Sequence, residues 1–177
     1  SELCDSGIKI YFFVGNHDYW TLDYFTKEIG MEVLKKPTDF KINNKLFFMG
    51  HGDGLGPGDL KYKFLKKIFR NPIFIFLFRI NYPWFGIPLG NFFSRKNKIF
   101  SAKEIKFEKK ENEMLYFFCM KKLKNKFYDF FIFGHRHIPL KIDLGNGSSY
   151  YNTGDWINHY SFIIYDGENV ELKYFKK

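Results

Sequence analysis

The 177 residues carry 28 lysines and arginines against 19 aspartates and glutamates, a net charge of +9, with 45% hydrophobic and 22% aromatic residues. That apolar fraction excludes a disordered chain and suffices for the core of one domain, with or without an insertion. The basic balance selects anionic partners but does not choose among nucleic acid, phosphorylated molecules and an anionic membrane face.

Cys4 and Cys119 form no paired-cysteine motif, which suits a reducing compartment. The first residues show no basic start before a long apolar stretch, so no signal peptide is expected. A membrane crossing needs roughly 18 consecutive apolar residues. The best stretch, residues 73–78, is far shorter, and Arg70, Pro72, Arg79 and Pro83 interrupt its surroundings.

Taken in order, residues 1–7 read as the end of a helix. Four apolar runs then read as buried strands, each stopped by a glycine: 10–14 before Gly15, 46–49 before Gly50, 130–133 before Gly134, and 150–153 before Gly154. Between the second and third runs, residues 59–127 are basic, aromatic and mostly helix-like, with breaks at Pro72, Pro83 and Pro88. The tail reads as a hairpin, with residues 161–165 and 170–175 joined by a turn at 166–169. Strands separated by helical connections predict an α/β fold, one domain over 1–177 with a helical insertion at about 59–127.

Three of the four glycine stops lead at once to histidine: Gly15-Asn16-His17-Asp18, Gly50-His51-Gly52-Asp53 and Gly134-His135-Arg136-His137. A strand sets the direction of the chain and glycine permits a sharp turn beside it. The next side chain therefore projects from the strand end, where α/β sheets gather their ligands. Imidazoles joined by an amide oxygen suit divalent ions such as Mn, Fe or Zn. The fifth histidine, His159, reads as a surface or packing residue. Asp18 and Asp53 read either as carboxylates that orient the histidines or as local turn caps.

These motifs resemble the calcineurin-like metallophosphoesterases, whose last three motifs, Gly-Asn-His-Asp, Gly-His and Gly-His-x-His, occur here in the family's order. More finely, residues 51–62 and the insertion that follows are similar to the UDP-2,3-diacylglucosamine pyrophosphohydrolases, as is Gly154-Asp155-Trp156. The resemblance implies a four-layer αββα sandwich with a helical cap. It implies two divalent ions, expected to be Mn²⁺, with Asn16, His51 and His135 on one and His137 on the other. His17 would act at the scissile phosphate, and the products would be UMP and 2,3-diacylglucosamine 1-phosphate, a step of lipid A biosynthesis. Asp59, Tyr62, Ser94, Arg95 and Lys98 would bind substrate.

The family's first two motifs, Asp-x-His and Gly-Asp-x-x-Asp, occur nowhere in the chain. The expectation is therefore a chain that lacks two central strands and about half the ligands of one ion, with weak or no activity alone. Alternatives are a related enzyme acting on another phosphodiester and an inactive remnant that binds membranes or anions. Residues 60–70 set an apolar stripe between cations, which reads as a cap for acyl chains or as helices packed on the sheet. The expected partners are a diacylated nucleotide sugar and the inner face of the cytoplasmic membrane, with the protein peripheral to it. No nucleic-acid motif is present, so no nucleic-acid partner is expected.

Overall fold

The computed structural model describes residues 1–18, 21, 23–57, 60–80, 84, 86–88, 91 and 113–175. It divides the chain into two compact units, one of Ser1–Gly58 with Glu108–Lys177 and one of Asp59–Phe107.

The first unit opens with a short helix α1 (Glu2–Asp5), strand β1 (Tyr11–Phe13), helix α2 (Tyr24–Lys27) and strand β2 (Glu32–Leu34). β1 and β2 pair in parallel. A five-stranded sheet follows, built from β3 (Thr38–Ile42), β4 (Lys45–Gly50), β5 (Phe130–Phe133), β6 (Pro139–Gly145) and β7 (Ser148–Thr153) in the order β3-β4-β5-β7-β6. Its centre, β4-β5-β7, is parallel, and the two edges are antiparallel. A separate hairpin of β8 (Ser161–Tyr165) and β9 (Val170–Tyr174) closes the chain.

β4 and β5 are apolar at almost every position because both of their faces are covered, as parallel strands require, whereas β7 buries Tyr150 and Tyr151 between polar residues. On one face Phe48, Phe131, Phe133, Ile142 and Tyr150 pack against Leu115 and Cys119 of helix α5 (Met114–Leu123). On the other, Phe47 and Tyr151 meet Val170, Ile163 and Leu172 of the β8–β9 hairpin. Successive residues thus serve opposite cores, so a register slip of one residue would exchange them. Truncating Phe131, which is 0% exposed, to Ala should cost about 3–5 kcal/mol.

An α/β fold is what the mixed sheet and its helices display. The four apolar runs became β1, β4, β5 and β7, and the tail hairpin formed with its turn held by Asp166, whose Oδ1 accepts from the Glu168 and Asn169 amides. Three strands were not foreseen: β2, β3 and β6. The edges are joined by hairpins rather than helices, since Asn43 and the Gly145-Asn146-Gly147 run adopt the left-handed conformation that tight turns demand.

In the second unit, α3 (Leu60–Phe69) is followed by α4 (Pro72–Ile80). Asn71 Oδ1 accepts from the Ile73 amide at 2.8 Å, and Pro72 takes the first helical position, where its missing N–H costs nothing. The break expected at Pro72 is therefore a helix start. The unit is shorter than the expected 59–127 insertion because α5 belongs with the sheet, into whose core it buries Leu115 and Cys119. Ile73, Phe74, Phe76, Leu77 and Ile80 of α4 are all exposed. Among the described residues no helix is long and apolar enough to cross a membrane.

Candidate metal centre

β4 and β5 run in parallel with Gly50 opposite Phe133, so their following residues leave the sheet at the same end. His51 and His135 emerge side by side, ring centroids 5.3 Å apart. The Gly134 amide donates to the His51 carbonyl at 3.0 Å and locks the two strand ends together. From beyond β1, Asn16 brings its Oδ1 to 3.0 Å from His51 Nε2.

Gly15 is required for that approach. A Cβ there would lie 2.7 Å from His51 Cε1 and 2.8 Å from Asp18 Oδ2. The same Asp18 oxygen accepts from the Gly15 amide at 2.8 Å, so Asp18 is a local turn cap. Asp53, 6% exposed, acts on the histidines by charge: it raises the His135 pKa while other groups lower it. Burial, first, and then the neighbouring His51 take His135 down to about 4. It is therefore neutral at physiological pH, the form that ligates metals.

The other predicted residues sit differently. His17 is exposed next to Asn16. His137 is exposed, with Nδ1 3.6 Å from Asp155 Oδ2, an oxygen that also lies 3.4 Å from His159 Nδ1. The Asp155 carboxyl is held down to about 2: burial raises it, and amide hydrogen bonds from Asn158, His159 and Ile157 more than reverse that. Trp156 packs on Tyr160, Phe162 and Phe175. Asp59, Ser94, Arg95 and Lys98 lie outside the described residues, as does the side chain of Tyr62 in α3.

The donor set formed by Asn16, His51 and His135, two imidazoles and an amide oxygen, fits one divalent ion of intermediate softness. No group of three or more His, Cys, Asp or Glu side chains that could hold a metal occurs among the described residues. Two features of the site escaped the sequence reading. Asn152, 0% exposed in β7, donates to the Gly134 carbonyl and accepts from the Gly154 amide. Glu113, also buried, pairs with Arg136. An amide directly after the two tyrosines of β7 was the available signal for Asn152; nothing in the sequence pointed to Glu113.

No family model matches the chain. It is similar to the UDP-2,3-diacylglucosamine hydrolase of Porphyromonas gingivalis, with 32% identity over 98% of this chain and 71% of that protein. It is also similar to proteins of the same name from Pseudomonas fluorescens SBW25, 37% identical over 44% of this chain and 31% of the relative, and Pseudomonas putida KT2440, 27% identical over 64% and 45%. The matched stretches cover less than half of these two pseudomonad proteins.

Proposed function

This chain belongs to the UDP-2,3-diacylglucosamine hydrolase family, and we propose that it hydrolyses the diphosphate of UDP-2,3-diacylglucosamine to UMP and 2,3-diacylglucosamine 1-phosphate, a step of lipid A biosynthesis. The observation that carries the reading is the meeting of Asn16, His51 and His135 beyond the C-terminal ends of β4 and β5. Such a cluster suits phosphoryl chemistry, where binding anionic oxygens and generating a nucleophile matter most.

Asn16, His51 and His135 would hold one divalent ion and His137 would contribute to a second, with Mn²⁺ the expected metal. Bound there, the ions would polarise the phosphoryl oxygens and lower the pKa of the attacking water. The chain's own residues prepare that chemistry. The locked strand ends fix the imidazoles before substrate arrives, so little reorganisation remains for the reaction itself. His17, exposed beside Asn16, would face the phosphoryl group and protonate the departing oxygen.

The finer architecture is part of the same proposal: a four-layer αββα sandwich with residues 59–107 as a substrate cap. Asp59 and Tyr62 would take the glucosamine phosphate end, Ser94, Arg95 and Lys98 would also bind substrate, and the apolar residues of the cap would take the acyl chains. Exposed Ile73, Phe74, Phe76 and Leu77 support a peripheral position on the cytoplasmic face of the inner membrane.

The test is UMP release from UDP-2,3-diacylglucosamine by the 177-residue chain with Mn²⁺. Weak activity lost with a chelator, restored by Mn²⁺ and abolished by His51→Ala is the expected result. Turnover of a simple phosphodiester with none of the lipid nucleotide would overturn the substrate assignment.

A further inference from the structure

Arg136 separates the two histidines of the Gly134–His137 turn, and both histidines are left-handed, with φ 65° at His135 and 56° at His137. That conformation is unfavourable for residues with a side chain. Two of them within three positions need a restraint from the surrounding structure. Backbone bonds supply part of it: the Gly134 amide donates to His51, and the Arg136 amide to the Gly134 carbonyl at 2.7 Å.

The rest comes from Glu113, at the start of α5. Its side chain is 1% exposed, and Oε2 accepts from Arg136 Nε at 3.2 Å, while Oε1 accepts from the Leu115 amide at 3.3 Å. A buried carboxylate is costly unless paired, and here both oxygens are engaged. The Arg136 side chain is itself only 20% exposed.

The same helix start braces the loop that carries His51. A Cβ at Gly52 would meet Leu115 Cδ1 at 3.3 Å, and one at Gly56 would run into Met114. Both glycines belong to the glycine-rich run after His51. One turn of α5 therefore touches both histidine-bearing loops.

We infer that Glu113 is a positioning residue: its buried pair with Arg136 holds the Gly134–His137 turn in the shape that sets His135 beside His51. The consequence for metal affinity rests on the function proposed above, whereas the consequence for the turn does not.

Two measurements keep those apart. Hydrogen exchange of the metal-free chain reads the Gly134 and Arg136 amides, and calorimetry reads Mn²⁺ affinity. The variants are Glu113→Gln and the double change Glu113→Gln with Arg136→Met, which leaves no charge stranded in the interior. Exchange at Gly134 and Arg136 is expected to accelerate roughly tenfold while Phe131 and Ile132 stay protected, and Mn²⁺ affinity to fall about 10–100-fold, the range for groups behind metal ligands. Lys45→Met, which breaks the Lys45–Asp129 pair on the same sheet, is expected to change neither. Unchanged exchange in the turn overturns the inference, as does faster exchange with undiminished Mn²⁺ affinity. Faster exchange in a chain that binds no Mn²⁺ in any form upholds the clamp and overturns the metal reading instead.

Discussion

Asn152 is the residue whose loss should most damage the strand ends beneath the histidines. It is 0% exposed, and its side chain uses both amide hydrogens and its oxygen. Nδ2 donates to the Gly134 carbonyl and to the Tyr150 hydroxyl, the latter at 3.4 Å, and Oδ1 accepts from the Gly154 amide at 3.1 Å. Asn152→Ala removes all three at once and leaves the Gly154 N–H without this partner, while the Gly134 carbonyl keeps the Arg136 amide as a donor. An unsatisfied group costs about 1–3 kcal/mol when buried. With the Gly154 site only partly buried, the sum of that penalty, the lost bond to Gly134 and the cavity is expected at about 2–4 kcal/mol. A domain of this size loses about 2–4 °C of Tm per kcal/mol, so the fall should be roughly 4–16 °C. Urea denaturation at 25 °C, followed by tryptophan fluorescence, gives the free energy, and calorimetry gives the Tm. Asn152→Asp should be no milder, since it keeps the acceptor for Gly154 but turns an oxygen toward the Gly134 carbonyl. A loss below about 1 kcal/mol for Asn152→Ala would refute the reasoning, because that is the net worth of one ordinary hydrogen bond.

Gly15→Ala would place a methyl 2.7 Å from His51 Cε1, so the imidazole must move. A misplacement of about 1 Å can cost on the order of 10²-fold in rate, and kcat should fall on that scale with the circular dichroism spectrum intact. Wild-type kcat in the folded variant would show that His51 needs no such placement. Asp39 offers a pH test. Burial raises its carboxyl, but hydrogen bonds from Lys126 and Tyr128 and the Lys126 and Lys122 charges bring it, on balance, below its ordinary 3.8. A depressed carboxylate stabilises the fold fully above its unfolded pKa and loses that contribution as pH falls through the lower folded value. The penalty of Asp39→Asn, from urea melts at successive pH, should therefore shrink below about pH 4; a penalty unchanged down to pH 2 would contradict the pairing.

Local chemistry made much of this protein readable in its sequence. The runs before Gly50 and Gly134 announced strands because a strand buried on both faces is apolar throughout, and those before Gly15 and Gly154 because they are rich in aromatic residues. Glycine followed by histidine announced strand ends, although Gly15, Gly50 and Gly134 keep an ordinary φ: at Gly15 and Gly50 it is the close approach of His51 and Pro37 that leaves no room for a side chain. The final hairpin was legible from its turn residues. What escaped was whatever depends on neighbours distant along the chain. β3 and β6 lie at the sheet's edges, where alternating polar residues weaken the signal, and β2 is only three residues long. The pairing of β4 with β5 across about 80 positions put His51 beside His135, while His137 turned toward Asp155, a choice that spacing cannot express. Glu113 is one more charge in a basic, helix-like stretch of sequence; burial beside Arg136 gave it a partner. Propensity and pattern act over a few residues, whereas a site is assembled by sheet register and by the cost of burying charge, and those act only once the chain has folded.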